Sequence, residues 1–127
     1  MALVLVVDDD LFVLDACCAA LTQAWHAVQR ASSGLAALDI IEGKEPLDLL
    51  LTDVVMPGLH GFNLARMARL KRPGLRVLYM TAFADLDTVL QDDGPRLGKL
   101  LRKPLRPDDL RREVDEALAS PAFNAVA

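Results

Sequence analysis

Five short apolar runs, each stopped abruptly by a polar residue and each followed by a helical pattern, constrain this chain more than any other feature. Residues 2–7, Ala-Leu-Val-Leu-Val-Val, are continuously apolar and end in Asp8-Asp9-Asp10. A short run without alternation fits a strand buried on both faces, as in the middle of a parallel sheet. A helix follows, with Leu14, Cys18, Leu21 and Trp25 at helical spacing and Asp10 placed to cap it. Residues 26–31 read as a weaker second strand. Ser32 or Ser33 caps a second helix near residues 34–42, which Gly43-Lys44-Glu45-Pro46 breaks. The third strand, residues 47–52, ends at Asp53; the loop Met56-Pro57-Gly58 leads into a helix over about 60–71. After the turn Arg72-Pro73-Gly74, residues 76–80 form a fourth strand ending at Thr81. A polar helix over about 85–93 stops at Gly94-Pro95, and residues 97–102 hold the fifth strand, ending at Lys103-Pro104. The last helix, about 107–119, sets Leu110, Val114, Ala117 and Leu118 on one side.

Strands separated by helical patterns imply right-handed crossovers and a parallel sheet covered on both faces. The expected class is therefore α/β: a doubly wound (βα)5 unit around a five-stranded parallel sheet. A length of 127 residues with 53% hydrophobic content suits one domain with a real core. No internal linker, low-complexity tract or short repeat interrupts it, so a single domain is expected over 1–120, with 121–127 as a frayed tail.

Composition removes several functions. The net charge is −4 and the basic residues are scattered, so direct nucleic-acid binding is not expected. The modest group Arg102, Lys103, Arg106, Arg111 and Arg112 reads as a solvated helix face. The first apolar run lacks a basic segment before it and is too short for a signal peptide or membrane span, so no membrane association is expected. Cys17 and Cys18 are neighbours on a helix and cannot face each other, which makes them packing residues rather than a disulfide and fits a reducing, cytoplasmic location. A glycine-rich phosphate loop carrying a lysine is missing, so nucleotide binding has no support.

The chemistry gathers where the apolar strands stop. Asp8 and Asp9 follow the first strand, Asp53 the third, Thr81 the fourth and Lys103 the fifth. Ligands of open α/β sheets bind outside the carboxyl ends of the strands. Three carboxylates, a hydroxyl and an ammonium are thus delivered to one edge. Crowded carboxylates repel and need a cation. Magnesium fits, because it prefers oxygen ligands and needs only one or two carboxylates with water and phosphate oxygens. A carboxylate can accept a phosphoryl group, and that transfer needs mainly positioning and charge neutralisation. Any one of these residues alone reads as a cap or turn; it is their joint placement that points to a metal and phosphate site.

Val6-Val7-Asp8-Asp9-Asp10, Leu51-Thr52-Asp53-Val54-Val55-Met56-Pro57-Gly58, Met80-Thr81-Ala82 and Arg102-Lys103-Pro104 resemble, in order and spacing, the signature segments of response regulator receiver domains. The resemblance covers essentially the whole chain and implies a CheY-like, flavodoxin-like fold. It implies Asp53 as phosphoacceptor, Asp9 as direct magnesium ligand, Asp8 as support for the metal through water, and the Val55 backbone carbonyl as a further ligand. It also implies Thr81 as a switch hydroxyl, Lys103 as counter-charge to the phosphoryl group, and a cis Lys103-Pro104 peptide. The implied donor is a sensor histidine kinase or a histidine phosphotransfer protein, and the output is binding of a downstream protein by a monomer or weak dimer. The face of the last two strands and helices, near Leu100, Leu101 and Arg106, is the implied docking surface.

The chain also departs from that family's pattern. Leu100 stands three residues before the lysine, where many receivers carry Tyr or Phe, so the usual readout lacks its ring. His60 replaces an Asp common before Gly61, and Gly94-Pro95 makes the segment before the fifth strand unusual. Val55 and Phe83 are expected to flank the site, hinder attacking water and slow dephosphorylation. Met1 directly before the first strand favours a free-standing protein, whether single-domain regulator or relay shuttle, over a receiver cut from a hybrid kinase. Two other readings are carried forward. One is a haloacid-dehalogenase-like phosphohydrolase, since Asp8-x-Asp10, Thr81 and Lys103 imitate its layout; Leu11 and Phe12 and the unexplained Asp53 segment count against it. The other is a pseudo-receiver that works without phosphorylation.

Overall fold

The computed structural model describes residues 2–122. Five strands, β1 (Leu3–Val7), β2 (Ala27–Ala31), β3 (Leu49–Asp53), β4 (Arg76–Thr81) and β5 (Gly98–Arg102), form one parallel sheet in the order β2-β1-β3-β4-β5. Five helices connect and cover them: α1 (Leu11–Gln23), α2 (Gly34–Glu42), α3 (Gly61–Lys71), α4 (Leu86–Gln91) and α5 (Pro107–Ala119). The order places β1 and β3 side by side in the middle, where continuous apolar runs are required, and every residue of β3 is buried.

Alternation along the strands splits the core in two. Leu5, Val7, Leu50, Val77 and Tyr79 face α2, α3 and α4, whereas Val4, Val6, Leu49, Leu51, Leu78 and Met80 face α1 and α5. Cys17 and Cys18 are buried and unpaired on α1, as the packing reading required.

The caps explain several boundaries. Asp10 accepts hydrogen bonds from the N–H groups of Phe12 (2.9 Å) and Val13 (3.4 Å) and starts α1. Of the two candidate serines, Ser33 caps α2, through the Ala36 N–H at 3.1 Å. Pro107 opens α5 and Asp108 and Asp109 lie in its first turn, which matches the helix dipole. At the other end of α2, the Arg72 guanidinium donates to three otherwise unpaired carbonyls: Ile41 at 3.0 Å, Glu45 at 2.6 Å and Gly43 at 2.8 Å.

Two sequence expectations need correction. Trp25 is not on the buried stripe of α1. The helix ends at Gln23, Trp25 takes a left-handed φ of 69°, and its side chain is 84% exposed. The Trp25 N–H donates to the Thr22 carbonyl and the His26 N–H to the Leu21 carbonyl, which is the closing pattern of a helix whose next residue is left-handed. The polar helix expected over 85–93 is a 3-10 turn, Phe83–Asp85, followed by the six residues of α4. Asp92, the residue just past the helix, is held by Arg66 of α3. The remaining tail expectation falls mainly on residues 123–127, outside the described ones. Among the described residues, no helix is long and apolar enough to cross a membrane.

Candidate functional site

The carboxyl ends of β1, β3 and β5 bring the predicted charged residues together. Asp8, Asp9 and Asp53 each present a carboxylate oxygen within 4.8 Å of the others. Asp8 is fully buried and Asp53 is 4% exposed, while Asp9 is open to solvent. Lys103, carried in from the end of β5, reaches between the two buried acids: its Nζ lies 2.7 Å from Asp8 Oδ2 and 3.2 Å from Asp53 Oδ1. The Lys103-Pro104 peptide is cis. Thr81 is buried at the end of β4, and its carbonyl accepts the Lys103 N–H at 2.8 Å, tying the two strand ends together. The Thr81 hydroxyl is turned to the Ala82 carbonyl, 3.3 Å away.

The backbone under Asp53 is held tightly. The buried Thr52 hydroxyl donates to the Asp53 carbonyl at 2.9 Å. The Val54 N–H donates to Met80 and the Gly61 N–H to Val54, on either side of Val55. A Cβ on Gly61 would collide with the Asp53 carbonyl oxygen, so only glycine allows α3 to start this close to the acid. Val55 packs partly buried against the α3 side of the core, and Phe83 is 70% exposed with the Arg102 guanidinium 5.4 Å from its ring centre.

The electrostatics follow from this crowding. Burial first, then the neighbouring Asp8 charge, push the Asp53 carboxyl up to about 7, against the partial opposition of Lys103. Burial pulls Lys103 down, but Asp8 and Asp53 outweigh it and its ammonium is held above the ordinary lysine value. Asp8 Oδ1 accepts the Asp10 N–H at 2.9 Å. Asp8 Oδ2 and Asp53 Oδ1 are buried and have no hydrogen-bond partner apart from the shared ammonium. With all three acids ionised, the one ammonium leaves two negative charges uncompensated. A hard divalent cation meets both that charge and the oxygen-only donor set, so the residues present fit magnesium.

Asp10 does not join this group. Its carboxylate caps α1 instead, accepting the Phe12 and Val13 N–H groups. Sequence reasoning missed Tyr79, which is fully buried on β4 two residues before Thr81; its hydroxyl accepts the Leu97 N–H at 3.2 Å. It also missed Glu113, buried on α5 and paired with Lys99 of β5 at 2.7 Å.

Comparison with known proteins agrees with the geometry. The family model described as response regulator receiver domain matches residues 4–115. The response regulator receiver protein CpdR of Brucella abortus is 35% identical over 118 residues, covering 93% of this chain and 98% of that one. The DNA-binding transcriptional regulator NtrC of Klebsiella pneumoniae is 34% identical over 90% of this chain, which spans only 24% of that longer protein. A crystal structure of a response regulator receiver protein from Sinorhizobium medicae superposes with a TM-score of 0.82 at 26% identity, covering 94% of this chain and 95% of that one.

Proposed function

Because the chain belongs to the response regulator receiver domain family, we propose that it is a phosphoacceptor switched by magnesium-dependent phosphorylation of Asp53. The observation that carries this reading is the pair of buried carboxylates, Asp8 and Asp53, that share a single ammonium. Asp8, Asp9, Asp53 and the Val55 carbonyl would hold the metal, which supplies positive charge to the phosphoryl oxygens when bound. An Asp53 carboxylate oxygen attacks the phosphorus of a phosphohistidine donor, the N–P bond breaks, and the imidazole leaves with its electron pair and takes up a proton. Lys103, already between the two acids, stabilises the charge carried onto Asp53. The Thr81 hydroxyl, held only by a long bond to the neighbouring carbonyl, is free to turn to the phosphoryl oxygen.

The donor is a sensor histidine kinase or a histidine phosphotransfer protein, the output is binding of a downstream protein, and the location is the cytoplasm. The domain runs over 1–120, as a monomer or weak dimer. The chain is a stoichiometric acceptor rather than an enzyme that turns over, since Asp10 is occupied as a cap. Val55, two residues after the acid, and Phe83, two after Thr81, would shield it with apolar surface, so the acyl phosphate should outlast seconds, and a half-life of seconds would contradict this shielding.

Intact-protein mass after incubation with magnesium and acetyl phosphate tests the proposal. One added phosphoryl group, dependent on magnesium and absent in Asp53→Asn, is expected. Multiple turnover of a phosphomonoester without a stable label would favour the phosphohydrolase. A protein that binds magnesium but never takes the label, from acetyl phosphate or from a phosphorylated histidine domain, would be a pseudo-receiver.

A further inference from the structure

The segment between α4 and β5 is fastened to α3 in a way the switch chemistry does not require. Arg66 of α3 donates to both Asp92 carboxylate oxygens, at 3.3 and 2.6 Å, and its Nε donates to the Pro95 carbonyl at 3.2 Å. A Cβ on Gly94 would meet the same guanidinium and oblige it to shift, so the segment passes close over Arg66. Arg96 lies 4.1 Å from the centre of the Phe62 ring, donates to the Val89 carbonyl at 2.9 Å and stands 3.8 Å from Asp92. The Phe62 ring packs edge-on to Tyr79, with ring centres 4.9 Å apart, and the Tyr79 hydroxyl takes the Leu97 N–H.

The helix that this fastening positions is weak by itself. α4 has six residues, and Val89 is its only buried side chain. A helix that short has no stability of its own in water. The 3-10 turn that leads into it begins at Phe83, two residues after Thr81, and the helix ends at Gln91, next to Asp92. Tyr79 and Thr81 are two apart on β4, so their side chains share one face of the strand. The stretch from Ala82 to Gln91 is therefore strung between the switch hydroxyl and the Arg66–Asp92–Arg96 contact.

We propose that residues 92–97 form a latch, closed on α3 by Asp92 between Arg66 and Arg96, that sets the position of α4 and is energetically coupled to the Asp53 site through Thr81 and Tyr79. The proposal rests on the phosphoacceptor reading and adds to it the means by which this chain conveys the state of Asp53 to its surface. Coupling of this kind is reciprocal, so the state of Asp53 changes the latch and the latch changes the site.

The test is amide hydrogen exchange of residues 83–97 by mass spectrometry, with and without magnesium and acetyl phosphate. It is run on wild type, Asp92→Asn and Arg66→Gln, and intact mass reports the labelling of the same samples. Either variant should speed exchange of this segment about tenfold while leaving β1 and β3 protected. Phosphorylation should change exchange of the segment in the wild type and much less in the variants. Unchanged exchange in both variants overturns the latch. Labelled wild type with unchanged exchange in 83–97 overturns the coupling while leaving the phosphoacceptor reading intact. Wild type that takes no label from acetyl phosphate or from a phosphorylated histidine domain overturns that reading, and the coupling with it.

Discussion

Replacing Asp53 by Asn should make the cation-free protein more stable at alkaline pH. Asp53 is 4% exposed, and burial with the Asp8 charge raises its carboxyl to about 7 from an ordinary 3.8. A group whose folded pKa lies above its unfolded value contributes stability that is fully present below the unfolded value and lost as pH rises through the folded one. For Asp53 that loss runs from about pH 4 to just above about pH 7. Asn resembles the protonated acid and escapes it. Roughly three pKa units at about 1.4 kcal/mol each set a ceiling of about 4 kcal/mol. Rearrangement of Lys103 and local relaxation reduce this, so a gain of about 1–3 kcal/mol is expected at about pH 8.5 and close to none at about pH 4.5. Urea unfolding in EDTA, followed by far-ultraviolet circular dichroism, measures it; Trp25, the single tryptophan, is 84% exposed and makes a poor fluorescent reporter. Magnesium should then narrow or reverse the difference, because saturation at about a hundred times Kd adds about 2.7 kcal/mol to a protein that keeps the site. An Asn variant no more stable than wild type at the alkaline pH would refute the claim that the fold holds Asp53 against its preference for the neutral form.

Arg72→Ala should cost about 1–3 kcal/mol in the same unfolding assay, since the Ile41, Gly43 and Glu45 carbonyls all lose their donor; a cost under a few tenths would mean water replaces the guanidinium freely. Gly61→Ala should lower stability by about 1–3 kcal/mol and also slow phosphoryl labelling, because the added methyl must displace the Asp53 carbonyl. Normal labelling kinetics in a destabilised Gly61→Ala protein would separate packing from positioning. Trp25→Gly should raise stability by about 0.5–1 kcal/mol in thermal unfolding, relieving a left-handed residue that buries little. A loss there would show that the indole packs in solution.

What the sequence revealed, and what it did not, follows from the range over which each force acts. The strands were readable because burial on both faces leaves no room for polar residues, so Asp8, Asp53, Thr81 and Lys103 stood out where the apolar runs stopped. Three of those four ends meet directly around the Lys103 ammonium, and Thr81 joins through its carbonyl. The boundaries of α2 and α5 were legible from Ser33, Gly43 and Pro107, all local signals. Trp25 misled because the arithmetic of helical spacing continues past the point where the backbone turns left-handed, and a tryptophan gives none of the warning a glycine would. The shortness of α4 was hidden for the opposite reason. Arg66 and Asp92 are 26 residues apart, and no local pattern marks one as the partner of the other. Glu113 likewise reads as a surface residue on a helix until Lys99 of β5 is brought beside it.

The division of the core by the sheet has a consequence for how such a chain can diverge. The side chains facing α1 and α5 and those facing α2, α3 and α4 lie on opposite sides of the strand backbones. A volume change at Leu14 or Val114 can be compensated only by neighbours on its own side, and the same holds for Phe62 or Ile41 on the other. Free-energy effects of substitutions on opposite sides should therefore add, whereas those on one side should not. Two lineages of this domain can thus remodel one side for a new partner while the other drifts under separate constraint. Only the strand ends that carry the acids and the lysine are answerable to both.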